Sequence, residues 1–219
     1  MRNPLKLFKS FIHIGLCLTM AIVFAAQLSV AAAEPDNLER LTFVEMINTV
    51  DLGKESDFIQ KFQEKEARSN LMSKYNNVDG CSVETYRNKE VLLITVPARL
   101  LFAPNETLLN EKADKYLEPI KRYLRNPDTY RVLLVMHTDN TGSDLYRDEI
   151  TEERVESIFE WFEDHGSDTS YLFPYSMSDD MPLRPNDSQA NRDKNRRLEI
   201  YLMPGTKMLE QAKKGKIEF

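Results

Sequence analysis

The sequence of 219 residues predicts an α/β fold, an α+β sandwich in which helices cover one face of a mixed sheet. Short runs rich in Val, Ile and Leu at 91–96 and 131–136 have the length of buried strands and stop at turn residues. The segments 110–124 and 151–165 instead repeat apolar residues every three to five positions, as one face of a helix does. Strands that alternate with helices in this way are typical of a sheet with crossover helices.

Residues 1–33 are interpreted as a cleavable signal peptide. Arg2, Lys6 and Lys9 precede an apolar run that begins at Phe11, and the alanines up to Ala33 provide the small residues of a cleavage site. The alternative is an uncleaved membrane anchor, because the apolar stretch is long enough to cross a bilayer. The first interpretation predicts an exported protein that begins at residue 34.

Composition excludes several classes of function. Without its signal segment the chain carries 26 basic and 35 acidic residues, a formal net charge of −9. Phosphate binding needs a basic face, so nucleic acid is not an expected partner. Cys81 would be the only remaining cysteine, which excludes an internal disulfide and a thiolate metal site. We predict no metal and no cofactor.

The first half of the chain predicts two helices and a hairpin. Apolar residues from Leu38 to Phe62 follow near-helical spacing, and the segment 34–78 is expected to be a helical extension or linker. The sequence leaves open whether this segment is a spacer, a partner-binding arm or part of the domain's packing. The turn-rich stretch 76–80 precedes a hairpin with strands at 83–86 and 91–96, and 99–102 is expected to be extended.

The second half predicts an alternation of helices and strands. Pro119 should kink the helix 110–124 or restrict it to two short turns. Thr151 is the expected N-cap of the helix that ends near 165, which places Arg154 in its first turn. The remaining predicted elements are strands at 131–136, 171–176 and 197–202, a long polar loop at 178–191, and a surface helix or frayed tail at 205–219. The domain is therefore expected to span 79–204.

Two charged residues define a candidate binding site. Asp139 follows a strand and Arg154 lies near the start of the next helix, two positions that converge on one crevice in an open α/β sheet. A carboxylate holds an ammonium group and an arginine holds a carboxylate, so the two together form a receptor for the zwitterionic head of an amino acid. The alternative is that Asp139 and Arg154 pair with each other or remain solvated.

The same stretch resembles a known family. HTDNTGSDLYRDEITEERVESI is similar to the TDxxGsxxYNxxLSxxRAxxV signature of the OmpA-like peptidoglycan-binding domain, and NRRLEIYL resembles that family's closing NRRVEI strand. Upstream, VLLITVPARLLFAPNETLL resembles the entering strand and the LFxFxxxxL motif, so the resemblance covers about residues 83–203. It implies an OmpA-like βαβαβ-type mixed sheet with helices on one face, preceded here by a short helical extension.

The resemblance also implies a ligand. In that family the Asp and Arg of the signature grip the amino and carboxylate groups of diaminopimelate in the peptidoglycan stem peptide, and these positions are Asp139 and Arg154 here. The implied function is non-covalent peptidoglycan binding in the periplasm, at the cell wall or outer membrane of a Gram-negative-type bacterium. An envelope protein bound through 34–78 is a second expected partner. The other residues predicted to bind the ligand are Thr138, Asn140, Thr141, Arg147, Asn195 and Arg196.

Departures from the family pattern support an alternative function. Ala103, Ser176 and Ser178 replace residues typical of the family, the last two being glycines there, and Arg147 stands where Asn is usual. The domain would then have lost peptidoglycan binding and would act as a structural or protein-partner module. An enzyme is not predicted, since His137, Asp139 and Ser143 lack the nucleophile, base and orienting geometry of a catalytic triad.

Overall fold

The computed structural model describes residues 38–49 and 51–218. The predicted signal segment 1–33 therefore lies outside the described residues. Within the two described ranges, every helix is too short or too polar to cross a membrane.

Five strands form one mixed sheet, as predicted. Its spatial order is β1-β2-β5-β3-β4, with antiparallel neighbours throughout except for the parallel pair β3 and β4. Both central strands, β3 and β5, are buried along their whole length. This explains the nearly continuous apolar sequence of β3, whereas β5 alternates apolar residues with Arg197, Glu199 and Tyr201. The strands are β1 Ser82–Tyr86, β2 Val91–Pro97, β3 Tyr130–His137, β4 Leu172–Ser176 and β5 Arg197–Pro204.

The described chain contains seven α-helices. They are α1 Phe43–Asn48, α2 Ser56–Glu66, α3 Met72–Tyr75, α4 Asp114–Leu117, α5 Asp144–Asp164, α6 Gln189–Asn195 and α7 Thr206–Lys213. A π turn at Ala67–Leu71 joins α2 to α3. The predicted interruption at Pro119 is confirmed, because α4 gives way to a 3₁₀ helix at Glu118–Leu124 in which Pro119 occupies the first turn.

Helices α2 to α5 and α7 share one core with the sheet. Ile94, Leu134 and Ile200 point from the sheet into this core and are fully buried, together with Phe162 of α5. The predicted covering of one face is confirmed, and the structure adds α1 on the opposite face. There the Phe43 ring packs 5.2 Å from the Tyr201 ring, measured between centroids.

The segment before the hairpin packs into the same domain. Gln63 of α2 is fully buried, its amide donates to the Glu90 carbonyl at 3.0 Å, and its oxygen accepts from the Tyr130 hydroxyl at 2.9 Å. The Tyr123 hydroxyl likewise donates to Glu66 at 2.9 Å. Buried polar groups persist only when their hydrogen bonds are satisfied, so these contacts fix α2 against the sheet. The described part of 34–78 thus belongs to the domain's packing.

Three local expectations were wrong. The stretch 99–102 is not extended: a 3₁₀ turn at Ala98–Leu100 occupies most of it, and Phe102 forms an isolated bridge with Leu109. Helix α5 begins after Ser143 rather than Thr151, because the Ser143 hydroxyl accepts the N–H of Tyr146 at 3.2 Å. Arg154 therefore lies deep inside α5. The third error concerns 189–191, which belong to α6 instead of the predicted loop.

Candidate functional site

Asp139 lies two residues beyond the end of β3 and is fully buried. One carboxylate oxygen accepts the backbone N–H of Thr141 at 2.8 Å and also the Thr141 hydroxyl, while the other accepts from the Arg196 guanidinium. Burial alone would raise the pKa of Asp139, but the hydrogen bonds from Thr141 and Arg196 outweigh it and hold that pKa below its usual range. Asp139 is therefore an anion at neutral pH.

Arg154 projects from α5 and is 4 % exposed. Its Nε donates to the Glu106 carbonyl at 2.9 Å, and its guanidinium carbon stands 4.9 Å from the centre of the Phe102 ring. Among the described residues, no carboxylate lies within ion-pair distance of this guanidinium. Burial lowers the pKa of Arg154, and the positive charge of Arg196 acts in the same direction. The site thus holds a buried cation without an anionic partner in the described chain.

Arg196 connects the two residues. It forms ion pairs with Asp139 and with Asp193 of α6, and its charge acts on Arg154. Its side chain is 28 % exposed, whereas the Asp139 side chain is fully buried. We call Asp139, Arg154 and Arg196 together the crevice. Asp139 and Arg154 do not pair with each other and are not solvated, so neither form of the alternative describes them.

Arg147 lies one turn into α5, two turns before Arg154. Its guanidinium donates to Asp179 at 2.8 Å, to the Gly142 carbonyl at 2.7 Å, and to Asp144. These contacts join the start of α5 to the turn before it and to the loop after β4. Two acidic neighbours, Asp144 and Asp179, therefore hold the Arg147 guanidinium.

The other predicted ligand residues differ in their surroundings. Thr138 is buried, and its backbone N–H donates to the Ser178 carbonyl at 2.7 Å, whereas Asn140 is exposed. Thr141 holds Asp139, as described above. Asn195 is fully buried and uses its amide on the loop before α6, donating to the Arg184 carbonyl at 2.8 Å and to Asn186 at 2.7 Å.

Replacing Asn195 with alanine tests this role in the loop. Asn195→Ala removes both donated bonds and the bond its oxygen accepts from the Arg184 N–H at 3.0 Å. We expect the free energy of unfolding to fall by about 1–3 kcal/mol, as when buried polar partners lose their hydrogen bonds. Urea denaturation measures it. Asn191→Ala, on the more exposed side of the same helix, is the matched control, and equal losses for the two variants would contradict this assignment.

The loop after β4 keeps a conformation that glycine favours although the family glycines are absent. Ser178 has φ of 47° and Met181 has φ of 56°, both in the left-handed region. Ser178 therefore adopts this conformation without being a glycine. The Ser176 hydroxyl lies 2.7 Å from the Thr151 hydroxyl, and this contact joins β4 to α5.

A buried charged cluster beneath this loop was missed by sequence reasoning. Glu199 accepts from Arg197 Nε at 2.7 Å and from the Tyr201 hydroxyl at 2.6 Å, and His137 Nε2 lies 3.4 Å from it. Burial opposes ionisation, yet His137, Arg197 and Tyr201 lower the pKa of Glu199 to about 2. The available signal was the alternation of Arg197, Glu199 and Tyr201 along one strand, which places all three on one face.

His137 and Ser143, two of the residues considered for catalysis, have structural contacts. His137 Nδ1 lies 3.1 Å from the Asp180 carbonyl, and Arg197 donates to the Met181 carbonyl at 3.0 Å. The Ser143 hydroxyl caps α5. His137 therefore contacts the loop and Glu199, and Ser143 contacts its own helix.

Comparison with known proteins agrees with this fold. Residues 101–196 match the model of the OmpA family. The outer-membrane lipoprotein YfiB of Pseudomonas aeruginosa is 31% identical over 105 residues, which cover 48% of this chain and 62% of the relative. The match thus spans less than two thirds of that relative's length. The residues that match the OmpA family model include Asp139, Arg154 and Arg196.

Two solved structures show the same fold. A MotB-like protein from Desulfovibrio vulgaris superposes with a TM-score of 0.59 at 24% identity, covering 70% of this chain and 99% of the other. The cell wall anchor of the T6SS from Pseudomonas aeruginosa gives a TM-score of 0.51 at 20% identity, covering 67% and 96%. These similarities extend to residues outside the family match, in agreement with the packing of the N-terminal helices.

Proposed function

We propose that this domain binds peptidoglycan non-covalently and so ties an envelope component to the cell wall. In this proposal Arg154 holds the carboxylate and Asp139 the ammonium group of diaminopimelate in the stem peptide. The observation that carries the proposal is Arg154, a buried cation without a described carboxylate partner. A ligand carboxylate would supply the missing charge.

The energetics of burial support a carboxylate ligand at Arg154. Removing a guanidinium from water is costly unless it is paired and hydrogen-bonded. In the described structure Nε has a carbonyl partner and the plane rests near the Phe102 ring, while neither Nη atom has a described hydrogen bond. Two N–H groups of one guanidinium match the two oxygens of a carboxylate.

Asp139 accommodates an ammonium group through an exchange of partners. In the structure its second oxygen is taken by Arg196, which also pairs with Asp193. We propose that the ligand ammonium replaces Arg196 at Asp139 while Arg196 keeps Asp193 and turns its released N–H groups toward the ligand carboxylate. The partial exposure of Arg196 leaves room for this movement. Thr138, Asn140 and Thr141 would then line the crevice around the ligand.

The proposal also includes a cellular location and a protein partner. One structural neighbour is described as a cell wall anchor and one relative as an outer-membrane lipoprotein. A periplasmic location follows if residues 1–33 are a signal peptide. An envelope protein would then bind through 34–78, where Val44 and Phe58 are exposed apolar side chains.

Co-sedimentation with isolated sacculi tests the proposal. Protein beginning at residue 34 is expected to pellet with sacculi and to be released by free diaminopimelate. Folded protein that remains in the supernatant would instead favour the alternative, a domain that has lost peptidoglycan binding and serves as a structural or partner-binding module. The pairing of Asp139 with Arg196 is the observation that favours this alternative.

Arg147 provides a prediction about ligand preference. We expect Arg147→Asn to change affinity for stem peptides with a free carboxylate more than for amidated ones, because a cation beside the crevice favours carboxylates. Calorimetric titration of both peptides with both proteins measures the difference. Equal ratios of affinity in the two proteins would remove Arg147 from the site and leave it as the bridge to Asp179.

A further inference from the structure

A large groove lies at the C-terminal end of α5. It has a volume of about 1230 Å³ and lies between the end of α3, the 3₁₀ helix Glu118–Leu124 and the turn after α5. Arg154 of the crevice lies further back on α5, roughly 15 Å from the end of the helix at 1.5 Å per residue. We call this groove the basic groove, because five basic residues line it: Lys74, Lys115, Lys121, Arg122 and Arg125.

The groove is cationic in an acidic chain. Five basic side chains and two acidic ones, Glu118 and Asp168, line it, whereas the whole chain carries a formal net charge of −6. Lys121 pairs with Glu118 at 3.3 Å, and Arg122 pairs with Glu66 at 3.2 Å. A concave surface lined by one sign of charge concentrates the field and attracts ligands of the opposite sign.

Three of the basic residues have no described acidic partner. Lys74, Lys115 and Arg125 are exposed, and no ion pair within residues 38–49 and 51–218 involves them. Lys115 instead stands 5.5 Å from the centre of the Tyr116 ring. Their charges therefore remain available to a partner from outside this part of the chain.

The rest of the lining indicates the kind of partner. Val78 and Pro119 are half-buried and provide apolar surface between the charges, whereas Leu124 is buried in the core. A phosphate group would use the cations alone. A peptide with acidic and apolar side chains would use both features.

We propose that the basic groove docks an acidic peptide segment of a partner protein. Acidic side chains of that segment pair with Lys74, Lys115 and Arg125, and apolar side chains pack on Val78 and Pro119. The lining of the groove contains none of Asp139, Arg154 and Arg196, so the two sites use different residues. The inference does not depend on the ligand proposed for the crevice.

Charge reversal tests the proposal in the full-length protein. The probe is a short fluorescein-labelled peptide of glutamates interrupted by leucines, followed by fluorescence anisotropy. Reversing Lys74, Lys115 and Arg125 together to Glu is expected to weaken binding by about tenfold or more, because close charge pairs across an interface govern such complexes. The control reverses Lys207, Lys213 and Lys214, three exposed lysines in and just after α7, with the same change in net charge.

The outcomes are distinct. Loss of binding in the groove variant only, with unchanged circular dichroism, supports the proposal. Equal loss in both variants overturns it, because net charge alone would then explain the attraction. Failure to bind the peptide, together with binding to phosphatidylglycerol vesicles that needs the same three residues, overturns it in favour of a lipid surface.

Discussion

Replacing Asp139 or Arg154 with alanine is expected to weaken binding to isolated sacculi by about ten- to more than a hundredfold. Each residue would make charge-assisted hydrogen bonds to a zwitterionic ligand, and such bonds contribute roughly 1.5–3 kcal/mol. Asp139→Ala leaves the ligand ammonium unpaired, and Arg154→Ala leaves its carboxylate unpaired. Binding isotherms from co-sedimentation measure the effect.

Control variants separate binding from folding. Asp139→Asn keeps an oxygen that can accept from Thr141 and removes only the charge, so it should also lose binding while its loop survives. Arg99→Ala removes an exposed arginine paired with Asp79 and should leave binding unchanged. Because Asp139 and Arg154 hold two groups of the same ligand, the two changes are coupled and the double variant should lose less than the sum. Undiminished binding by folded Asp139→Ala and Arg154→Ala proteins would exclude this site.

Neutralising Glu199 is expected to have the largest effect on stability. Its pKa falls from 4.5 to about 2 in the folded protein, a difference equivalent to about 3 kcal/mol at neutral pH. A carboxyl with a lowered folded pKa contributes stability that is present above pH 4.5 and is lost as pH falls toward 2. Glu199→Gln should therefore reduce the free energy of unfolding by about 3 kcal/mol at pH 7 and by clearly less at pH 3.

Urea denaturation at both pH values measures this difference. Glu153→Gln provides the control, since Glu153 is an exposed carboxylate on α5 and its loss should change stability by no more than about 0.5 kcal/mol. A Glu199→Gln deficit that is the same at pH 7 and pH 3 would show that shape or packing, and not charge, accounts for the loss.

The sheet was predictable because its central strands carry a continuous signal. Strands β3 and β5 are covered on both faces, so every position favours an apolar or tightly paired residue, and length and β-branching suffice to identify them. Pro119 was equally informative, since proline has no N–H for a helical hydrogen bond and therefore interrupts the interior of an α-helix. The start of α5 was not predictable in the same way. Ser143 and Thr151 are both good caps, and only the bond from Ser143 to the Tyr146 N–H distinguishes them.

The sequence indicated the residues of the crevice but not the ion pair between Asp139 and Arg196. Sequence places Asp139 after a strand and Arg154 on the next helix, which brings them to one edge of the sheet. Which cation Asp139 meets depends on α6, a helix of seven residues that presents Arg196 and Asp193 together. Its one local signal is the Ser188 cap, and short helices are stabilised mainly by tertiary contacts that sequence does not display. The Glu106 carbonyl accepts a hydrogen bond from Arg154 Nε. It is a backbone group, so no side chain in the sequence indicates this contact.

Calorimetric titration of the wild-type protein with diaminopimelate tests whether the crevice binds a zwitterion. Pimelate is the matched control, because it has the same chain and both carboxylates but no amino groups. We expect diaminopimelate to bind and to raise the midpoint of thermal unfolding, since a ligand held only by the native state stabilises it. Pimelate should bind much more weakly, because it cannot replace Arg196 at Asp139. Equal binding of the two compounds, or binding of neither, would contradict the grip on a zwitterion by Asp139 and Arg154.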